Sequence, residues 1–122
     1  MQTPEKVIVA TFYRLGSGRE PVRNWLLSLE QEDRKLIGQD IMAVEYGWPC
    51  GEPLCKSFKD HDDLREVRTN LSSKRISRVC FYVSGKEMVL LHGFIKKSQK
   101  TPKPALSLAS RRLKDHKRHG TK

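Results

Sequence analysis

The sequence predicts a small α+β layer fold with the order β-α-α-β-β-β-α. Three features predict it. A β-branched and aromatic run stands near the N-terminus. Two segments with helical apolar spacing follow it. Three alternating runs separated by short turns come next, and a basic helix closes the order.

Val7 to Tyr13 reads Val-Ile-Val-Ala-Thr-Phe-Tyr, the composition of a strand. Gly16-Ser17-Gly18 breaks it, and Pro21 suits a first helical position. Val22, Trp25, Leu26 and Leu29 then fall on one helical face. A second helix starts near Gln31, with Glu32 and Asp33 in the first turn, where acidic groups favour the helix dipole. Ile37, Ile41 and Val44 form its buried stripe, and Gly47 and Pro49 end it. Residues 47–63, punctuated by Gly47, Pro49, Gly51 and Pro53, read as a loop. Leu64 to Thr69, Arg75 to Val83 and Met88 to Ile95 read as strands. The turns Asn70 to Lys74 and Ser84-Gly85-Lys86 are short, so these strands form an antiparallel meander. Met88 to Leu91 is apolar on both faces, which marks a central strand. Pro102 to Lys117 reads as a last helix whose weak stripe is Ala105, Leu106, Leu108, Ala109 and Leu113. The two earlier helices are expected to cover one sheet face and leave the other more open.

The 122 residues fit one domain spanning 1–122, with a basic tail from about 111. The chain is 37% hydrophobic and 31% charged, which argues against a membrane protein and against wholesale disorder. No run approaches the ~18 apolar residues of a membrane span. The N-terminus lacks the basic-then-apolar pattern of a signal peptide, so a cytoplasmic location is expected. The 3 cysteines are an odd number, which fits a reducing compartment better than a disulfide framework. Cys50 and Cys55, with His61 the only nearby candidate, do not complete a zinc set. The cysteines therefore read as structural or incidental, and neither a metal nor a cofactor is expected.

The net charge of +10 is strongly polarised. Residues 1–63 carry 8 basic and 11 acidic side chains, residues 64–95 carry 6 and 2, and residues 96–122 carry 10 and 1. Such a field attracts a polyanion, above all nucleic acid. Period-2 alternation places Ile76, Arg78, Cys80 and Tyr82 on one face, and Leu64, Glu66 and Arg68 on one face of the preceding strand. It likewise groups Met88, Leu90, His92 and Phe94. An arginine inside a sheet needs a partner or an open groove. Glu66, Asp62 and Asp63 are available partners for Arg68 and Arg78. The run Lys96-Lys97, Lys100 and Lys103 directly after the last strand favours an anion groove instead. Arg68, Arg75, Lys100 and Lys103 are the expected nucleic-acid backbone contacts. Phe58 and Tyr82 are suited to stack a base, whereas Trp25 and Trp48 read as packing residues. His92 titrates in the range useful for acid–base work but sits in an apolar run. His116 and His119 read as solvated.

These stretches carry a resemblance. Leu64-Arg65-Glu66-Val67-Arg68 resembles the "L-x-E-L-R" strand of RelE-superfamily toxins. Ser77-Arg78-Val79-Cys80-Phe81-Tyr82 resembles their "Y-R-V-x-Y" strand, with Ser77 in place of the aromatic. Leu90 to Pro102 is similar to "L-L-H-G-F-x-K-K-T-Q-K-T-P", a signature of the phage-derived, HigB-like branch. Val22 to Leu26 and Glu32-Asp33-Arg34 match its two-helix segment. The likeness runs from Val7 to about Lys117.

The resemblance implies a RelE-like (microbial-RNase-like) antiparallel sheet with two N-terminal covering helices and a C-terminal helix. It implies the toxin of a type II toxin–antitoxin system, a ribosome-dependent, metal-independent endoribonuclease that cuts mRNA and inhibits translation. The implied partners are the ribosome with its mRNA and a cognate helix-turn-helix antitoxin, in a heterodimer or heterotetramer. Cleavage by the 2′-OH needs a base, a leaving-group acid and stabilisation of a charged phosphorane. By matched position Arg78 stabilises the phosphorane, while Lys97 and Lys96 hold the phosphate and protonate the leaving oxygen. His92 is a further acid–base candidate, and with no tyrosine after Tyr82 the general base stays open. Two other readings compete: a gyrase-poisoning toxin like the ParE relatives, and a non-catalytic nucleic-acid-binding remnant.

Overall fold

In the computed structural model, which describes residues 5–97 and 100–120, these patterns build a five-stranded sheet and three helices. The strands are β1 (Val9–Phe12), β2 (Cys55–Phe58), β3 (His61–Asn70), β4 (Ile76–Ser84) and β5 (Glu87–Lys96). The helices are α1 (Pro21–Ser28), α2 (Gln31–Gly47) and α3 (Lys103–Gly120). Ser98 and Gln99 of the lysine-rich signature, the side chain of Asp62, and residues 121–122 of the basic tail lie outside the description. Among the described residues no helix is long and apolar enough to cross a membrane.

The sheet order is β1-β5-β4-β3-β2. Strands β2 to β5 pair antiparallel, as the short turns require, but β1 lies parallel to β5 with Val9 opposite Glu87. The sheet is therefore mixed rather than antiparallel throughout. The reason is the connection: α1 and α2 carry the chain from β1 to the opposite edge, so no hairpin dictates the direction of β1. The expected central strand β5 is interior, between β1 and β4. The expected loop at 47–63 contains β2, a four-residue edge strand whose polar Lys56 and Ser57 carry little strand signal.

Pro21 opens α1 as expected, and Val22 is buried there with Trp25, Leu26 and Leu29 packed around it. Ile37, Ile41 and Val44 of α2 join Val67, Val79, Phe81, Met88 and Leu90 in the larger core. The opposite sheet face is not open. Helix α3 buries Ala109 and Leu113 there against Tyr13, Leu64, Cys80, Val89 and Leu91. The stripe along α3 is apolar enough to need a partner surface, and the exposed sheet face was the surface left. Arg111 to Gly120 belong to this helix. Arg112 donates to the Leu91 carbonyl at 2.8 Å, and Lys117 donates to Asp63 at 2.7 Å.

A β-bulge changes the expected faces of β5. Phe81 pairs with Leu90 and Cys80 pairs with His92, so Leu91 is the extra residue. Met88 and Leu90 face α1 and α2. His92 and Phe94, opposite Cys80 and Arg78, face the α3 side instead. Gly93 turns the other way, and a Cβ there would run into the Trp25 ring. Glu45 closes the outer edge of β1: its carboxylate accepts from the Ala10 N–H at 2.8 Å and its carbonyl from the Val7 N–H at 2.8 Å. Cys50 and Cys55 are disulfide-bonded, a pairing the odd count did not suggest. Cys80 is free and buried, and burial pushes its thiol up to about 12.

Candidate nucleic-acid interface

Alternation puts Glu66 and Arg68 of β3 on the same face as Arg78 of β4, and cross-strand register sets Arg68 opposite Arg78. Two cations at one pair of positions require an anion, and Glu66 supplies it. Its carboxylate accepts from Arg78 Nη1 at 2.9 Å, Arg68 Nε at 3.2 Å and the Thr101 hydroxyl at 2.6 Å. Glu66 and Arg78 are 0% exposed. Arg78 also reaches Thr101 Oγ1 at 3.5 Å. The partner weighed for Arg78 from sequence is thus the partner present. The guanidinium is enclosed beneath the segment leading into α3 and is not presented at the surface. Arg68 is the arginine of the pair that reaches outward, with 22% of its side chain exposed beside a hollow lined by Asp40, Leu54 and Ile76.

A second hollow, ≈ 480 Å³, adjoins the first through Asn70 and Ile76 and brings Lys74, Arg75 and Lys97 together. Lys96 sits opposite Ile76 at the end of β5, and Lys96, Lys97, Lys100 and Lys103 are all exposed. Ser73 and Lys74 hold φ of 59° and 60°, a left-handed turn that thrusts Lys74 toward this hollow. Arg75 is committed elsewhere in part. Its Nη1 and Nη2 donate to Asp33 at 2.8 and 3.0 Å, a bidentate pair across the first turn of α2. The bond to Arg75 holds the Asp33 carboxyl below its usual range, and Asp33 in turn raises Arg75.

The remaining expected residues lie under α3. His92 stacks on Phe94 with ring centres 5.5 Å apart, and burial together with nearby Arg112 lowers its pKa. Tyr82 is half-buried against α3. His116 meets it edge-on at 6.5 Å, and Lys117 Nζ lies 5.1 Å from its ring centre. His116 is therefore half-buried rather than solvated, while His119 is exposed 3.5 Å from Asp115.

Sequence reasoning did not single out Glu66 as the hub, Thr101 as its third donor, or Lys56. Lys56 pairs with Glu66 across β2 and β3 and so shares its face. The Glu66 signal was present in the Leu64-Glu66-Arg68 alternation. Lys56 was hidden inside the apparent loop.

A family model described as phage derived protein Gp49-like matches residues 24–114. The chain belongs to this Gp49-like family. The match runs from within α1 through most of α3 and so contains the Glu66 hub and the lysines that follow β5. The Gp49-like family is a phage-derived, toxin-like family related to the RelE/HigB-like toxins of type II toxin–antitoxin systems, which makes an antitoxin the natural partner class. The mixed sheet with three helices is consistent with a RelE-like fold. No curated protein matches this Gp49-like chain.

Proposed function

We propose that this Gp49-like chain is the toxin of a type II toxin–antitoxin pair and that it cuts mRNA on the ribosome. The observation that carries the reading is the basic rim of Arg68, Lys74, Lys96 and Lys97 where β3 and β5 end and β4 begins, with Lys100 and Lys103 exposed in the stretch that follows. It suits a phosphate chain, and the family supports a toxin role. In this reading the 2′-OH gives up its proton to water and attacks the adjacent phosphate, and the bond to the 5′ oxygen breaks. Arg68 faces the phosphorane, and Lys97 and Lys96 hold the phosphate and supply the proton to the leaving oxygen. Arg78 acts through Glu66, which orients Arg68, and it reaches the phosphate itself only when the Thr101 segment lifts. Arg75 contributes field at the rim while bound to Asp33. Tyr82 and His92 enter only with movement of α3. The cognate partner is a helix-turn-helix antitoxin, in a heterodimer or heterotetramer, acidic where it covers residues 64–103. The work is done in the cytoplasm, without a cofactor.

One observation favours the second reading, a non-catalytic RNA-binding module: Arg78 is enclosed by Glu66 and Thr101. Cleavage of a defined mRNA in reconstituted translation, with and without ribosomes, separates the two. Cuts that need ribosomes and fall at least tenfold in Arg68→Ala and Lys97→Ala support the nuclease. RNA binding without cuts, in folded protein, supports the module.

A further inference from the structure

A hollow of ≈ 320 Å³ lies between the first turns of α3 and the tip of the β2–β3 hairpin, apart from the basic rim described above. Phe58 and Leu106 give it apolar surface, Lys59 and Lys103 carry charge, and Asp60 and Ser107 offer polar atoms. The pairing of β2 with β3 is irregular between Ser57 and Phe58, and such a break in the ladder re-aims a side chain. Phe58 is half-buried against the α3-side core, so its ring is held in place. Lys56 Nζ lies 5.9 Å from the ring centre, which adds a third cation. Lys103 is the first residue of α3, where the helix dipole adds to its positive charge.

The geometry points to a pocket for one unstacked nucleobase of a single-stranded RNA, with guanine preferred. This inference rests on the RNA-directed reading above and adds to it a site of base choice. The chemistry matches piece by piece. A flat apolar ring takes the face of a base in stacking. An ionised carboxylate only accepts hydrogen bonds, so Asp60 suits a base edge that presents donors. Guanine offers N1–H and the N2 amino group side by side, whereas uracil offers one N–H between two carbonyls that repel a carboxylate. Lys56, Lys59 and Lys103 suit the phosphates on either side of the base. The volume is at the small end of the ~300–1,000 Å³ of ligand pockets, suited to one nucleoside.

The test is fluorescence anisotropy with labelled five-nucleotide RNAs that carry guanine or uracil at the centre, on the full chain. The wild type is expected to prefer guanine. Phe58→Leu keeps apolar bulk without stacking and should weaken binding about tenfold. Asp60→Asn, on an exposed turn residue, should erase the preference for guanine at an unchanged thermal midpoint. Heparin should bind all three proteins equally. Wild type without RNA binding, Phe58→Leu with unchanged affinity at an unchanged thermal midpoint, or Asp60→Asn that keeps the guanine preference would each overturn the pocket. The ribosome assay reads the nuclease separately. A protein that cuts but lacks these sensitivities sinks the pocket alone, and one that shows them without cutting sinks the nuclease alone.

Discussion

Replacing Glu66 by alanine tests the buried hub most directly. The change leaves the Arg78 guanidinium, 0% exposed, without its 2.9 Å carboxylate partner and removes the acceptor of the Thr101 hydroxyl. Breaking a fully buried pair from one side costs about 3–5 kcal/mol, because the surviving charge cannot be rehydrated in place. Thermal midpoints move about 4 °C per kcal/mol for a chain of 122 residues, so a fall of about 12–20 °C is expected. Arg78→Met alone should cost a similar amount. The double variant Glu66→Leu with Arg78→Met removes both charges and fills the space, so it should recover at least half of the summed loss. The assay is urea and thermal unfolding followed by circular dichroism, arranged as a double-mutant cycle. Single and double losses that add within about 0.5 kcal/mol would refute the reasoning, since uncoupled residues behave that way. The double variant has a second use. If it is folded and still cuts RNA, Arg78 has no direct role in the reaction.

Three further outcomes are expected. Asp33 has its folded pKa depressed by Arg75, so its contribution is present above about pH 3.8 and is lost as pH falls through the lower folded value; Asp33→Asn should flatten this acid limb in urea midpoints taken across pH. Tyr13 donates to Asp115 at 2.6 Å and its phenol is pushed up to about 12, mainly by burial; ultraviolet titration should find one tyrosine ionising near there, absent in Tyr13→Phe, which should lose about 1–2 kcal/mol. Gly93→Ala drives a methyl group into the Trp25 ring and should cost about 1–3 kcal/mol, with much of the loss regained when Trp25→Leu is added, as read by chemical unfolding.

Local patterns carried most of the fold. The Val7–Tyr13 composition, the stripes of Val22 to Leu29 and of Ile37, Ile41 and Val44, and the two short turns each describe nearest neighbours, and each element formed where they stand. What failed was non-local. No pattern in Val9–Phe12 says that it lies parallel to β5, because that pairing is decided by where the intervening helices deliver the chain. The α3 stripe was visible, but not the surface it would cover. The bulge at Leu91 reversed the faces of His92 and Phe94, since period-2 counting assumes an unbroken ladder. In the candidate interface the closely spaced lysines at 96, 97, 100 and 103 were legible because they need only be exposed. The role of Glu66 was not, because it arises from three donors that meet only after β3, β4 and the start of α3 have assembled.

The parallel pairing of β1 with β5 has a consequence for how the molecule comes into being. The first strand to be synthesised waits for the last, and Tyr13 waits for Asp115, 102 residues later. At ~5–20 residues per second of synthesis that interval lasts about 5–20 s. Through it, Ile8, Ala10 and Phe12 have no sheet to join. Closure then comes late and through contacts far apart in the chain, the slow regime of folding. The basic surface and the hollow beside α3 both depend on that closure. A nascent chain therefore carries much of the charge before it has the shape, which is complete only once β5 and α3 have both been made.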